Sequence, residues 1–317
     1  MNSRVDLARA YEFSRYAQRL QSAYPALCAA VEADLDRPLP WPDRGIEALV
    51  RGSDAAALAS ALRRLRQRVF LRVLLRDLTG RADLDEVCAA MTRLAETAIG
   101  AAVDVHAREL AARHGAPIGG DSGEEQQLIV VGMGKLGGGE LNVSSDVDLV
   151  LVFPEDGNTA GPRPLANQEF FDRLGRHLVA ALSEPSPEGI VFRTDLRLRP
   201  YGEAGPPASS LAVLEQYLIT QGRTWERYAW LKARTLTGVG DGEVERLVVP
   251  FVYRKYLDYD AYDGLRDVHR QIRAQRRRRD YAGNVKLCPG GIREIEFIVQ
   301  ALQLLYGGDD PWLREAN

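Results

Sequence analysis

A glycine-rich run between two apolar stretches constrains the fold of this chain more than any other feature. It reads Gly132-Met-Gly-Lys-Leu-Gly-Gly-Gly-Glu-Leu-Asn-Val-Ser-Ser-Asp-Val-Asp148, after the apolar stretch Leu128–Val131. The run matches G-x-G-x-x-G, but only eight residues separate Gly137 from Asp146. A crossover between parallel strands needs about a dozen or more residues, so the run does not fit a Rossmann unit. It is not a P-loop either, because Lys135 precedes the glycines and no Gly-Lys-Ser/Thr occurs.

Asp146 and Asp148 are the first candidate site residues. Side chains two residues apart in an extended chain point to the same face, so these carboxylates repel each other unless a cation is present. A plain glycine-rich hairpin with surface aspartates leaves that repulsion unexplained. We therefore predict a strand, a glycine turn, a short helix over Gly139–Asn142, and then the two aspartates opening the next strand, Val147–Phe153. Such a site suits Mg²⁺-dependent nucleotidyl or phosphoryl transfer.

A third carboxylate lies on a later apolar stretch, Ile190–Leu198, which alternates strictly. One face carries Asp195 together with three arginines, Arg193, Arg197 and Arg199. An amphipathic strand with weak surface ion pairs is the alternative interpretation. Beside an Asp-x-Asp strand, however, Asp195 would complete a metal site, and Arg197 and Arg199 would meet phosphate oxygens.

The remaining pattern is mostly helical, so we expect an α+β fold that is predominantly helical. The predicted helices are 5–22, 54–79, 83–114, 167–183, 211–221, 223–235, 242–257, 260–280 and 291–306. The predicted divisions are an N-terminal helical segment (1–114), a linker (115–126), a nucleotidyltransferase core (127–235) and a C-terminal helical region (236–317) that is truncated. In the last helix, the predicted core stripe is Ile295, Ile298, Val299, Leu302 and Leu305.

Composition excludes some classes of function. The net charge is −3, so there is no overall attraction to nucleic acid, and no apolar run reaches the ~20 residues of a membrane span. The three cysteines are far apart and no Cys-x-x-Cys is present, so we expect no zinc site. We expect a cytoplasmic protein whose cysteines pack as small apolar residues.

Several charged residues allow two interpretations. The arginine run 276–279, with Arg270 and Arg273, could bind nucleic acid, cap a helix end or contact an acidic partner. Glu203 could orient Arg197 or Arg199, or be a loop acid. The other ambiguous residues form either solvated helix faces or part of the site: Glu226, Arg227, Lys232, Arg234, Arg293, Glu294 and Glu296.

The glycine turn followed by Asp-x-Asp resembles the signature of the DNA polymerase β nucleotidyltransferase superfamily. Four blocks over roughly 130–300 are similar, more narrowly, to the glutamine synthetase adenylyltransferase/adenylyl-removing enzyme family. The first is the run Gly132–Asp148 given above. The other three are Arg193-Thr-Asp-Leu-Arg-Leu-Arg-Pro-Tyr-Gly-Glu203, Gly222-Arg-Thr-Trp-Glu-Arg-Tyr-Ala-Trp-Leu-Lys-Ala-Arg234 and Gly290-Gly-Ile-Arg-Glu-Ile-Glu-Phe-Ile-Val-Gln300.

This resemblance implies an activity. Members of that family carry two nucleotidyltransferase domains. The C-terminal domain transfers AMP from ATP to a tyrosine of glutamine synthetase, and the N-terminal domain removes the AMP by phosphorolysis and releases ADP. The sequence Gly-Gly-Gly-Glu-Leu-Asn-x-Ser-Ser-Asp resembles the N-terminal copy, because the C-terminal copy usually reads Gly-Gly-Arg-Glu-Met with a single serine before the aspartate.

The resemblance also implies ligands and partners. Two Mg²⁺ ions would be held by Asp146, Asp148 and Asp195. The nucleotide (ATP or ADP) and inorganic phosphate would contact the residues Gly137, Gly138, Gly139, Ser144, Ser145, Arg197, Arg199, Lys232 and Arg234. The implied partners are glutamine synthetase, the signalling protein PII and the second catalytic domain of the full-length chain; no membrane or nucleic acid is expected. Roles for Lys135 and Asn142 stay open.

Other functions remain to be distinguished. An adenylyltransferase that uses ATP belongs to the same superfamily and would differ in its co-substrate. A regulatory module that binds nucleotide without turnover is a different class, and the three aspartates argue against it. A nucleic-acid polymerase-like enzyme is a further alternative, for which binding would weaken steeply with salt.

Overall fold

The computed structural model describes residues 6–39, 50, 54–238, 242–253, 266, 270, 285–286, 288 and 290–315. It confirms the expected α+β, mainly helical fold. The helices are α1 (Leu7–Glu12), α2 (Arg15–Ala23), α3 (Pro25–Ala33), α4 (Ala55–Leu78), α5 (Leu84–His114), α6 (Gly134–Gly137), α7 (Asn167–Ser183), α8 (Leu211–Thr220), α9 (Thr224–Trp230), α10 (Glu243–Val252) and α11 (Ile292–Tyr306). The strands are β1 (Pro117–Gly119), β2 (Ile129–Gly132), β3 (Val147–Phe153), β4 (Gly157–Thr159), β5 (Thr194–Asp195), β6 (Ala208–Ser210) and β7 (Arg234–Thr237).

The long helices α4 and α5 begin and end where the sequence predicts. Asp54 and Asp83 are their N-caps, and each carboxylate accepts a hydrogen bond of 2.8 Å from the backbone amide three residues later. Gly115 follows α5 with a φ of 83°, a backbone conformation that favours glycine. Local capping residues therefore determine where both helices begin, and Gly115 determines where α5 ends.

The single predicted N-terminal helix 5–22 is wrong, because the chain forms two short helices there, α1 and α2, and a third, α3, directly after them. Ser14 breaks the first one and caps α2 by accepting from the amide of Ala17 at 3.3 Å. Pro25 then opens α3 at a position where its missing N–H costs nothing. These helices bury Leu20 and Val31 against α4.

The main sheet has the order β5-β3-β2-β7, with β6 also pairing β3. Strand β2 runs antiparallel to β3 and to β7, whereas β5 and β6 run parallel to β3. The β2–β3 antiparallel pairing is what the short connection predicts. Strands β1 and β4 form a separate two-stranded ladder, and β1 lies within the stretch 115–126 that the sequence suggests is a linker.

The central strands are buried on both faces, which explains their continuous apolar sequences. One face of β3, with Leu149 and Leu151, packs in the same core as α4, α5 and α7. The opposite face, with Val150 and Val152, packs with α8 to α11. Helices therefore cover both sides of the sheet and leave the strand ends near Asp146 at the surface.

The predicted core stripe on α11 is largely wrong. Phe297 and Leu304 are buried and Leu305 is partly buried, but the other members of the stripe are exposed, namely Ile295, Ile298, Val299 and Leu302. The helix is apolar on several sides, so its hydrophobic pattern alone did not identify the face that packs.

Some predictions lie outside the described residues. They include most of the predicted helix 260–280 and the arginine run 276–279 with Arg273. Helix α10 ends at Val252, so the rest of the predicted helix 242–257 extends into that part. Cys28 is buried, whereas Cys88 and Cys288 are partly exposed. No described helix is both long enough and apolar enough to cross a membrane.

Candidate active site

Asp148 and Asp195 lie side by side on neighbouring strands. The parallel pairing of β3 and β5 aligns Val147 with Thr194 and Asp148 with Asp195. Paired strands are about 4.8 Å apart, and side chains in register point to the same face. Asp146 lies two residues before Asp148, close enough for its negative charge to act on Asp148. The structure thus brings together the three carboxylates that the sequence singles out.

Burial and the neighbouring carboxylates both act on the pKa of Asp148. It is raised from 3.8 to about 6, first by burial and then by the negative charges of Asp195 and Asp146, while Arg197 lowers it. A cation beside Asp148 would relieve the repulsion between these carboxylates.

Arginines hold the two outer carboxylates. Arg193 donates to the carboxylate of Asp146 and, at 2.8 Å, to the carbonyl of Ser144. The Nε of Arg197 donates to Asp195 at 2.7 Å, and its backbone amide donates to the same carboxylate at 2.8 Å. The hydrogen bond from the Arg197 side chain is the main reason that the pKa of Asp195 is lowered.

The carboxylates fit Mg²⁺ by their chemistry, since hard divalent cations prefer carboxylate oxygens. The raised pKa of Asp148 supports that fit. Within the described ranges, no three His, Cys, Asp or Glu side chains are arranged as ligands of one metal ion. In this structure the carboxylates of Asp146 and Asp195 instead accept hydrogen bonds from Arg193 and Arg197.

The glycine turn packs directly against the aspartates. The amide of Met133 donates to the carbonyl of Asp148 at 2.9 Å. Gly134 has a φ of 53°, and a Cβ there would lie 3.6 Å from a carboxylate oxygen of Asp148. The helical turn is α6, at Gly134–Gly137, rather than the predicted Gly139–Asn142, and Gly139 follows it with a φ of 73°.

The three glycine amides that the resemblance assigns to phosphate binding are used inside the turn. Gly137, Gly138 and Gly139 donate to the carbonyls of Met133, Gly134 and Leu136 at 3.2, 3.0 and 3.2 Å, respectively. This conformation therefore does not offer these amides to a phosphate. What the glycines do provide is close packing, because Gly137 lies against the backbone of residue 232.

The serines before Asp146 form a tight turn. The amide of Asn142 donates to the hydroxyl of Ser145 at 3.3 Å, and the amide of Ser145 donates to the carbonyl of Asn142 at 3.0 Å. Ser144 is exposed and offers its carbonyl to Arg193. Both serines therefore lie next to the carboxylates, and Asn142 closes the turn. Contact of the serines with phosphate stays a prediction from the resemblance.

Lys232 and Arg234 do not lie on a helix, so the predicted helix 223–235 is wrong beyond Trp230. Arg234 instead opens β7 and pairs with Gly132 of β2. Lys232 Nζ contacts the carboxylate of Glu140 at 2.9 Å. Arg234 contacts Glu96 at 2.6 Å and the carbonyl of Gly137 at 2.9 Å. Both side chains therefore stabilise the glycine turn and the residues that directly follow it.

The stretch Ile190–Leu198 is also not one regular strand. Only Thr194 and Asp195 pair with β3, and adjacent residues Val191 and Phe192 are both buried. Arg199 donates to the carbonyls of Leu196 at 2.9 Å and Gly205 at 3.2 Å. Its third acceptor is the backbone carbonyl of Glu203, at 3.4 Å. In this structure Arg199 stabilises the loop that follows β5.

Glu226 and Arg227 are buried, which rules out a solvated face for this part of α9. Glu226 accepts from the hydroxyl of Tyr217 at 2.6 Å and from the amide of Arg223 at 2.9 Å. Arg227 donates to the carbonyl of Val252, at the end of α10, at 2.8 Å. On α11, Glu294 accepts from the amide of Gly290 at 2.7 Å, and the charges of Arg293 and Glu296 act on the hydroxyl of Tyr228.

Three contacts of the site were not expected from the sequence. Arg193 shares a sequence alternation with Asp195, and that alternation was the available signal for its contact with Asp146. Glu96 and Glu140 gave no signal, because their partners Arg234 and Lys232 are distant in sequence. Such pairs depend on the tertiary fold.

Comparisons with known proteins identify the family. The family model described as glutamate-ammonia ligase adenylyltransferase matches residues 5–247, and the GlnD PII-uridylyltransferase model matches residues 266–315. The chain is 52% identical over 314 residues to a protein of Chromobacterium violaceum named bifunctional glutamine synthetase adenylyltransferase/adenylyl-removing enzyme. Proteins of the same name from Aromatoleum aromaticum and Nitrosomonas europaea are 49% and 48% identical over 308 and 326 residues.

These alignments cover 99%, 97% and 98% of this chain but 35%, 33% and 35% of the three relatives. The chain therefore spans about a third of the length of the curated relatives that it matches.

Proposed function

The chain belongs to the glutamate-ammonia ligase adenylyltransferase family, and from this premise we propose that it removes AMP from an adenylylated tyrosine of glutamine synthetase by phosphorolysis. The observation that carries the proposal is the register of β3 and β5, which sets Asp195 beside Asp148. The raised pKa of Asp148 supports a cation at this position. The sequence Gly-Gly-Gly-Glu-Leu-Asn-Val-Ser-Ser-Asp favours removal over addition of AMP, because it resembles the N-terminal copy of the family.

The proposed reaction transfers the adenylyl group from tyrosine to phosphate. An oxygen of HPO₄²⁻ bonds to the phosphorus of the adenylyl group, and the bond from phosphorus to the tyrosine oxygen breaks. The tyrosine oxygen takes the bonding electrons and the proton that phosphate carried, which gives tyrosine and ADP. The leaving phenol has a pKa of about 10, so its departure needs little acid assistance.

The residues of this chain would divide the work. Asp146, Asp148 and Asp195 would hold Mg²⁺, which supplies positive charge to the phosphate oxygens of the reactants. Arg193 and Arg197 orient the outer carboxylates, and their charge offsets repulsion when two anions approach. Ser144, Ser145 and the glycine turn form the wall beside Asp148.

The partners follow from the same proposal. Glutamine synthetase is the protein substrate, and a second catalytic domain is proposed because the chain spans about a third of the length of its relatives. Regulation by PII is proposed from the family resemblance, and a cytoplasmic location from the scattered, unpaired cysteines. An ATP-dependent adenylyltransferase is the runner-up, since the same carboxylates would serve either co-substrate.

Incubation with adenylylated glutamine synthetase, Mg²⁺ and phosphate tests the proposal. We expect ADP to form only when phosphate is present, and we expect Asp148→Asn to abolish it. Asp104→Asn is the matched control, because Asp104 is an exposed residue of α5. AMP transfer from ATP to unmodified glutamine synthetase, without ADP release from the adenylylated form, would instead establish the runner-up.

A further inference from the structure

A cavity of about 310 Å³ adjoins the carboxylates on the side of β5. We call it the arginine–aromatic pocket. The residues of its wall that matter here are Arg197, Tyr201, Tyr217, Arg223, Trp225 and Glu226. Arg197 belongs to both places, since its guanidinium contacts Asp195 and also lines the pocket. The glycine turn follows β2, on the other side of β3 in the sheet.

The pocket presents aromatic rings to solvent. Trp225 is 41% exposed and Tyr201 is 53% exposed. The ring of Tyr201 meets that of Tyr217 edge to face, with centroids 4.9 Å apart. Apolar rings that are exposed together beside a cavity are uncommon on protein surfaces, and such patches are typical of binding sites.

The backbone of Tyr201 has a strained conformation. Its φ of 62° makes it the one non-glycine residue with positive φ among those described. A bulky residue in this conformation is disfavoured, and such residues cluster at ligand sites. The carbonyl contacts of Arg199 across the same loop, to Leu196 and Gly205, hold that conformation.

The charge of the pocket favours an anion. Among the described residues, Arg223 forms no ion pair with a carboxylate, and its positive charge acts on the hydroxyl of Tyr217 in the same wall. Glu226 is the acidic group of the wall, and its two oxygens accept from Tyr217 and from the backbone of Arg223. Burial and this carboxylate raise the pKa of Tyr217 to about 12, so Tyr217 remains a neutral donor.

We propose that the arginine–aromatic pocket binds a planar ring joined to a phosphate, with the ring against Trp225 and Tyr201 and the phosphate facing Arg223 and Arg197. This inference rests on the proposed function for the identity of the ligand. Adenylyl-tyrosine offers two such groups, the adenosine phosphate and the tyrosyl phosphate. A lone phosphate would leave the rings uncovered, and a ring without phosphate would leave Arg223 without an anion.

Calorimetric titration of the 317-residue chain in buffer with EDTA tests the proposal. The probes are AMP, phenyl phosphate, adenosine and inorganic phosphate. We expect AMP or phenyl phosphate to bind more tightly than adenosine and inorganic phosphate. Stronger binding of AMP identifies the nucleoside end as the occupant, and stronger binding of phenyl phosphate identifies the leaving tyrosine.

Variants connect that binding to the pocket. Arg223→Gln should weaken it roughly tenfold, since a charge-assisted hydrogen bond is lost. Trp225→Leu should weaken it roughly fivefold, whereas Trp225→Phe, which retains a ring, should retain most of it. The matched controls are Trp312→Leu and Arg64→Gln, because Trp312 is 84% exposed and Arg64 is exposed on α4.

Two results would overturn the proposal: ring phosphates that bind no better than inorganic phosphate, or pocket variants that bind like the controls. The ADP assay separates this failure from failure of the proposed function. Pocket-dependent binding without ADP formation contradicts the proposed function alone. ADP formation without pocket-dependent binding contradicts the pocket alone.

Discussion

The carbonyl oxygen of Lys232 occupies the space in which any residue other than glycine at position 137 would place its Cβ. A Cβ built on Gly137 would lie 1.7 Å from that oxygen and 2.5 Å from the carbonyl of Gly132. The glycine turn and the segment before β7 therefore touch backbone to backbone. This contact sets the glycine turn beside Asp148.

Gly137→Ala should destabilise the chain, because neither backbone can move without disturbing the β2–β7 pairing. We expect the free energy of unfolding, measured by urea denaturation, to fall by about 1–3 kcal/mol. Gly100→Ala is the control. Gly100 lies in α5 with nothing within 4 Å of a built Cβ, so alanine there should stabilise the helix by roughly 0.5–1 kcal/mol. Equal stability of the two variants would contradict the packing argument.

The pKa of Asp148 predicts a pH dependence of the metal-free chain. The pKa of Asp148 is about 6 in the folded chain, against 3.8 for an ordinary aspartate, so the folded state binds the proton more tightly than the unfolded state. Stability from this group is present below pH 3.8 and is lost as the pH rises through 6. We expect thermal unfolding in EDTA to show that Asp148→Asn becomes more stable than the wild type as the pH rises from 3.8 to about 6. Above that pH the difference in stability between the two proteins should stay constant.

Mg²⁺ should reverse the order of these two proteins. A cation held by the carboxylates stabilises the folded wild type, so its melting temperature should rise with Mg²⁺ at pH 8, and that of Asp148→Asn should rise much less. An equal rise in both proteins would indicate that Mg²⁺ acts elsewhere. Asp104→Asn should respond like the wild type.

Arg227 should matter for stability and not for chemistry. It is buried and donates to the carbonyls of Phe251 and Val252, so Arg227→Met leaves these acceptors unsatisfied. We expect a loss of about 1–3 kcal/mol in urea denaturation. The same change at the exposed Arg64 should cost little. A normal free energy of unfolding with lost ADP release would assign Arg227 to the site instead.

The pair of Lys232 and Glu140 can be tested by a double-mutant cycle. Lys232→Met and Glu140→Gln each remove one partner of a pair that is largely shielded from solvent. We expect a coupling free energy of roughly 0.5–3 kcal/mol, because each single variant leaves the other group unpaired. Independent effects of the two substitutions, together with weakened nucleotide binding in Lys232→Met alone, would favour the phosphate contact that the resemblance implies.

Local sequence was sufficient where capping and burial act over a few residues. Helices α4, α5 and α7 and strand β3 follow the predicted ranges within a residue, because Asp54 and Asp83 cap helices and the apolar run of β3 is buried on both faces. The antiparallel β2–β3 pairing follows from the short connection between Gly137 and Asp146. The choice of the three aspartates came from spacing and charge, and the fold brought them together.

Local sequence failed where the partner is distant. The helical composition around Lys232 and Arg234 was overridden because β7 completes the sheet against β2. The alternation of Ile190–Leu198 suggested a long strand, but only two residues reach β3. The stripe on α11 could not reveal which side packs, since several of its sides are apolar.

The sequence by itself therefore determined the long capped helices, the buried strand β3 and the choice of candidate carboxylates, because caps, apolar periodicity and the spacing of Asp146 and Asp148 are encoded in neighbouring residues. Only the tertiary structure decided which arginine contacts which aspartate and which glycine amides are already used. It also decided that rings from three separate segments line one pocket. Those contacts join residues far apart along the chain, and no local pattern specifies them.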